Sequence, residues 1–278
     1  MRTITYLFLF GLLFVGVACS DDENTTPAVV DIESESAIDE AFEEIDVITE
    51  AGMTIENSVG RTNEDDETLA CADVIRDPDN NRITIDFGES CEGRGGRVRS
   101  GRIVITYTDK RYIPGATRTV TFEDFFIDGV QIEGTRTMTN VSATENDNPR
   151  FNIVLAGGRV TFEDGTFATR EANHTRTWMR SGSPLTDEGV IEGSASGLDR
   201  NGSAYSITIT TPLVYKRSCH VTRAFIPVEG VQEIIKGDNS GSIDYGDGTC
   251  DNIVTVTVNG VSETKEISGL RIGRKVTG

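Results

Sequence analysis

Four Asx-Gly dipeptides stand between long runs of alternating polar and apolar residues, and they restrict this chain more than any other feature. They are Asp128-Gly129, Asp164-Gly165, Asn201-Gly202 and Asn259-Gly260. A two-residue hairpin turn needs positive φ at both central residues, which Asn, Asp and Gly tolerate best. The runs around them, 97–108, 117–127, 130–140, 151–163, 166–180, 203–211 and 253–259, exceed the ordinary strand of about 5–6 residues. In Val254-Thr255-Val256-Thr257-Val258 and Ile207-Thr208-Ile209-Thr210 one face is aliphatic and the other hydroxylated, so each strand buries one side and wets the other. The expectation is an all-β fold: a long-stranded antiparallel meander, either a curved sheet or a two-sheet sandwich, with one short N-terminal acidic helix. A transmembrane barrel would need aromatic girdles, and the chain has one Trp.

Five cysteines add a constraint. Cys71, Cys91, Cys219 and Cys250 form an even set once Cys19 is set aside, which in an exported chain reads as disulfides. Three pairings are open. The favoured one is Cys71–Cys91 with Cys219–Cys250, because Ile85-Asp86-Phe87-Gly88 before Cys91-Glu92 repeats as Ile243-Asp244-Tyr245-Gly246 before Cys250-Asp251. A zinc site lacks the ligand spacing, with no C-x-x-C and only His174 and His220.

The N-terminus has a basic start, an apolar run from Tyr6 to Val17 and a small residue before Cys19, the pattern of a secretory signal. Gly16-Val17-Ala18-Cys19 resembles a lipobox, with Gly16 where Leu is usual. The alternative is an ordinary signal cleaved after Ala18, leaving a free thiol. Lipidation at Cys19 with two or three acyl chains would anchor the protein stably. The expected organisation is a signal peptide (1–18), a lipidated flexible tether (19–34), an acidic helical segment and linker (35–68), and a single all-β domain (69–278). Ser36 with Asp39 reads as a capping box, Ile38, Phe42, Ile45 and Ile48 recur at helical spacing, and Gly52 is expected to end the helix.

The formal charge of −19 is concentrated. Residues 20–67 hold 17 acids against Arg61, whereas 68–278 hold 28 acids and 24 bases. The acidic stretch beside the anchor would hold the body off anionic headgroups over about 10 Å. Such a charge argues against a nucleic-acid partner.

Three copies of Thr-Arg-Thr place Arg118, Arg136 and Arg176 on the same strand face as Val120, Met138 and Trp178. Two readings follow. The arginines pack their stems at the rim and leave their heads in water, or, if the strands register together, they form an anion-binding row. Arg118, Arg136, Arg176 and Trp178 are therefore the candidate ligand-binding residues. A second basic cluster, Arg94, Arg97, Arg99, Arg102, Lys110, Arg111 and Arg118 against Asp109, would dock the acidic helix, meet an anionic partner, or lie solvated. Trp178, Tyr107, Tyr112 and Tyr205 are candidate sugar-stacking rings.

Catalytic constellations do not assemble. No G-x-S-x-G elbow accompanies His174 or His220. Asp244, Asp247 and Asp251, and separately Asp77, Asp79 and Asn81, have a calcium-loop flavour, but Arg82 and Gly88 stand where an EF-hand needs Gly and Glu. Asx turns are the expected role, with calcium a weak alternative and no other cofactor.

The lipid signal, the acidic Ser20-Asp21-Asp22-Glu23 and the Asp-aromatic-Gly…Cys repeats together resemble a family of Bacteroidota outer-membrane and cell-surface lipoproteins. The resemblance implies a lipid-anchored, surface-exposed outer-membrane location and carries no catalytic residue. The expected function is a non-catalytic envelope lipoprotein, a binding or structural module for an extracellular glycan or protein partner. One alternative is a carrier of lipid or another apolar ligand in the hollow of a curved sheet. Another is a polysaccharide-directed enzyme.

Overall fold

The computed structural model of the chain describes residues 32–56, 68–93, 96–183, 186–222 and 226–267. The expected signal peptide, Cys19, the expected tether before Ile32, the 60–67 link and Arg94 lie outside the described residues, as do the side chains of Ser36 and His220.

One helix precedes the strands. α1 runs Ile32–Glu56, so it starts before Ser36, which is not its cap, and continues through Gly52. Its apolar face buries Ile38, Phe42, Ile45 and Ile48. Gly52 does not stop the helix because it is where the helix lies on the sheet: a Cβ there would meet Ile85 Cδ1 at 2.8 Å.

The strands are β1 (Asp73–Asp77), β2 (Arg82–Asp86), β3 (Cys91–Glu92), β4 (Val98–Tyr107), β5 (Thr117–Ile127), β6 (Val130–Asn140), β7 (Arg150–Thr161), β8 (Phe167–Met179), β9 (Glu188–Leu198), β10 (Ala204–Lys216), β11 (Glu229–Lys236), β12 (Asn239–Asp247), β13 (Ile253–Val258) and β14 (Val261–Glu266). They form one unclosed 14-stranded antiparallel sheet in chain order, with β3 as a side pairing on β4. The architecture is therefore a single sheet and not a sandwich.

Register puts one set of side chains on the inner face. A single row runs Ile83, Ile105, Val120, Arg136, Leu155, Ala172, Ala195, Ile207 and Ile234 across β2 to β11. Every member is apolar except Arg136. The outer face is hydroxylated where the alternation predicts: Thr208 and Thr210 are exposed, while Ile207 is buried.

Two of the four Asx-Gly turns are two-residue hairpins with both residues at positive φ, Asp128 (50°) with Gly129 (82°) and Asn259 (50°) with Gly260 (83°). The other two differ. At Asp164-Gly165 and Asn201-Gly202 only the glycine is left-handed, inside five-residue loops, because preceding Asp side chains organise the turn. Asp164 Oδ1 accepts from Thr166 N–H, and Asp199 Oδ1 accepts from Asn201 and Ser203 N–H.

Bulges curve the sheet around α1. The β6–β7 and β7–β8 registers slip at Gly134 and Gly157, and a Cβ on Gly134 would stand 2.9 Å from the Gly158 backbone. Such slips bend strands and increase twist. The core has a larger cluster between α1 and β2–β8 and a second on β9–β13 that includes Ile207, Ile234, Ile243 and Tyr245. Disulfides Cys71–Cys91 and Cys219–Cys250 close loops with separations of 20 and 31 residues.

Candidate anion-binding site

The acids of α1 at Asp39, Glu43, Asp46 and Glu50 recur every three or four residues and so share one side of the helix. That side meets the arginines of the inner sheet face. Arg136 donates from Nε and Nη2 to the two oxygens of Asp46, each at 2.8 Å. Arg176 donates to Asp46 at 3.2 Å and also pairs with Glu43. Arg118 reaches Glu50 at 3.2 Å, Arg111 pairs with the same carboxylate, and Arg170 pairs with Asp39. On the neighbouring side, Glu44 accepts from Arg97 Nε at 2.9 Å and Arg99 Nε at 2.7 Å.

The three Thr-Arg-Thr copies do not register together. Arg118 lies opposite Met138, Arg136 opposite Val120, and Arg176 opposite Phe151. They form a diagonal, and the helix crossing the strands gathers them. Their heads are not in water: Arg136 is 7% exposed and Arg176 6%. The anion they bind is the chain's own helix. Of the second basic cluster, Arg97, Arg99, Arg111 and Arg118 dock α1. Arg102 instead pairs with Asp86 at 2.6 Å on the outer face, and Lys110 is exposed.

Charge states follow. Burial alone would push Asp46 up, but Arg136, which both pairs and hydrogen bonds with it, and then Arg176 and Arg118, hold it down at about 2. Burial lowers Arg118 to about 10, with Asp46 opposing the shift and Arg136 and Arg176 adding to it. Burial also tends to lower Arg176, and Glu43 and Asp46 reverse that.

Beside the helix, α1 and strands β6 to β11 enclose a cavity of about 60 Å³. Arg136, Arg170, Arg176, His174, Tyr215 and Gln232 line it, with Asp39 and Glu43 of α1. Phe42, Leu155, Ile191, Ile207, Ile209 and Leu213 also line it, so the cavity is mixed, charged on one part and aliphatic on another, and it is smaller than the roughly 300–1,000 Å³ of pockets for drug-sized ligands. His174 stands there as a neutral imidazole: burial first, then Arg170, Arg136 and Arg176, push it down to about 3. A strongly depressed imidazole of this kind is a poor general base at neutral pH.

At the end of the sheet near the C-terminus of α1, Met138, Phe151 and Ile153 form a small apolar cluster with Trp178 packed on it. Arginines lie on these rings. The Arg217 guanidinium is 4.5 Å from the Trp178 ring centre and Arg176 is 5.8 Å away, while Arg111 is 6.0 Å from that of Phe151. The indole has room because Gly189 faces it across β9; a Cβ there would approach the ring to 3.3 Å. Sequence reasoning named Trp178 but missed Arg217 and Arg180, which sit in loop-flanking positions with no repeat to mark them.

The other candidates scatter. Tyr112 is exposed at 45%, whereas Tyr205 is buried and donates its hydroxyl to Thr169 C=O at 3.1 Å. Asp244, Asp247 and Asp251 each accept from backbone N–H two residues on, from Gly246, Thr249 and Ile253. They are turn-capping residues. Asp77 caps the short 3₁₀ turn Pro78–Asn80, accepting from Asn80 N–H three residues on. Among the described residues no three His, Cys, Asp or Glu side chains converge as metal ligands, and no helix is long and apolar enough to cross a membrane.

Comparison with protein-family models, curated proteins and solved structures gives no match to this chain.

Proposed function

We propose that this protein is an exported, lipid-anchored envelope module that binds an extracellular ligand or partner without catalysing a reaction on it. One observation carries the reading: four cysteines close two disulfides in the β body, and the fifth, Cys19, follows a signal-like apolar run. Disulfides persist in oxidising compartments. The sheet adds support. Its buried charges are spent on holding α1 rather than on presenting a nucleophile or a poised acid–base pair, and its inner surface is packed. The location proposed is the outer membrane, facing the cell surface, with the acidic residues Asp21, Asp22 and Glu23 beside Cys19 as spacer, since Asp39, Glu43, Glu44, Asp46 and Glu50 of α1 are paired with arginines of the body.

The test is metabolic labelling with an alkyne fatty acid, followed by protease shaving of intact cells. The expected result is label on the wild-type chain, none on Cys19→Ala, and loss of the wild-type chain to external protease. An unlabelled chain recovered with reduced cysteines from the cytoplasm overturns the proposal.

A further inference from the structure

The arginines fall into two groups with different partners. Arg97, Arg99, Arg118, Arg136, Arg170 and Arg176 face acids of α1. Arg180 and Arg217 do not: among the described residues neither forms an ion pair. Both nonetheless lie within electrostatic reach of Arg111, whose guanidinium is pushed down to about 10 by burial first and then by Arg118, Arg217 and Arg180. Arg111 and Arg118 share the single carboxylate of Glu50, and Arg217 stands over Trp178, which packs on the Phe151 cluster that Arg111 faces. Two further acids lie nearby: Asp109, which lines the small pocket beside Arg111 and Phe151 and accepts from Lys110 N–H at 2.7 Å, and Asp187, which is turned toward Ser181, whose N–H and hydroxyl donate to it at 2.9 and 3.3 Å.

This surplus is held in place. Arg217 stands over Trp178, its guanidinium carbon 4.5 Å from the ring centre, and its backbone N–H donates to Asp187 C=O at 3.3 Å. Trp178 N–H donates to Pro149 C=O at 2.8 Å, and Arg180 N–H donates to Asn148 Oδ1 at 3.2 Å. A guanidinium stacked on an aromatic ring keeps its edge N–H groups free to point outward in a fixed fork, the geometry that matches tetrahedral and carboxylate oxyanions. Tyr112, next in the chain to Arg111, has an exposed ring.

We propose that Arg111 and Arg217, set over Phe151 and Trp178 at this end of the sheet, together with Arg180 two residues along the chain from Trp178, bind the sulfate or phosphate ester of an acidic saccharide. The proposal rests on the extracellular binding reading above and gives it a site and a ligand class. A bilayer surface is the poorer occupant, because an extended anionic plane would also meet the acids of a body that carries 28 acids against 24 bases over residues 68–278, whereas a single ester group meets only the local arginines. The neutral exposed ring of Tyr112 suits a sugar face.

Trp178 is the only tryptophan in the chain, so its emission reports on this site alone. The purified full-length protein is titrated with a sulfated heparin hexasaccharide, its desulfated counterpart, inorganic phosphate and phosphatidylglycerol vesicles. The expected result is a saturable, salt-sensitive change with the sulfated hexasaccharide and none with the desulfated one. Arg217→Ala and Arg180→Ala should each weaken binding by about tenfold, and Arg217→Lys by less. Inorganic phosphate should compete. Circular dichroism checks that each variant keeps its fold, which neither side chain holds through an ion pair. Unchanged hexasaccharide binding in the Arg180→Ala/Arg217→Ala double variant overturns the site while leaving the binding-module reading intact. A response to vesicles alone, or to none of the four probes in the wild-type protein, overturns the ligand class.

Discussion

Arg136 and Asp46 meet side-on, with Nε and Nη2 each 2.8 Å from a carboxylate oxygen, in a row of the sheet that is otherwise apolar. Both are buried. A buried ion pair adds little over a well-packed apolar pair, but removing one partner strands the other charge, at a cost of about 3–5 kcal/mol. Asp46 serves Arg176 as well as Arg136, so the two single variants should not be equal. Asp46→Leu should destabilise more than Arg136→Met, and Asp46→Leu/Arg136→Met should recover much of the loss. Urea denaturation of the four proteins at pH 7 measures this. Additive single effects in the double variant would show that the pair is not coupled.

The same neighbourhood sets two acid-sensitive windows. Asp46 is held at about 2 against an ordinary 3.8. A folded value below the unfolded one means stability is fully present above the ordinary value and is lost as pH falls toward 2. His174 is held neutral, at about 3 against 6.5. The unfolded chain takes up that proton first, so this contribution is lost as pH falls from 6.5 toward 3, by up to about 1.4 kcal/mol per pH unit. His174→Gln should flatten the decline between pH 6.5 and 3 and leave the lower window. Asp46→Asn should flatten the lower window. Chemical denaturation at pH steps separates them, and an unchanged profile in His174→Gln refutes the buried-imidazole account.

Much of the fold is legible because its signals are local. β5 and β6 begin and end where alternation and the Asp128-Gly129 turn predict. β9 and β11 were not anticipated. β9 carries Gly189, Gly193 and Gly197 on its inner face, opposite Trp178, His174 and Arg170. The strand looks featureless because its neighbour's side chains fill the space, and that is a property of the pair and not of either sequence alone. The arginine row shows the same limit. Parity places each arginine on the apolar face, but only the register offset and the crossing helix decide whether water or Asp46 meets it.

The disulfides are a separate source of stability. In the chain-entropy view each loop contributes about 3–4 kcal/mol. Cys219–Cys250 joins the 3₁₀ segment Arg217–Thr222 to the link between β12 and β13 and packs with Val228 in a small cluster separate from the core under α1. Cys219→Ser/Cys250→Ser should therefore lower the melting temperature without altering the pH profile assigned to Asp46 and His174. Calorimetry at pH 7 and pH 3 tests that independence, and peptide mapping without reductant should recover Cys71 with Cys91.

Gly52 offers the sharpest probe of how α1 sits on the sheet. A glycine inside a helix costs about 1 kcal/mol relative to Ala, so Gly52→Ala should stabilise if the helix merely passes over the sheet. Here the added Cβ meets Ile85 Cδ1 at 2.8 Å, and Ile85 is fully buried. Ile85 must change rotamer or the helix must lift, and a lift would stretch the pairs made by Glu50 and Asp46. Gly52→Ala should therefore be neutral to mildly destabilising, and Gly52→Leu should cost about 1–3 kcal/mol by overpacking. Ile85→Val trims the far end of that side chain, so Gly52→Ala should be better tolerated in the Ile85→Val background than in wild type. Equal effects in both backgrounds, measured by urea denaturation, would mean that the glycine is not there for the close approach.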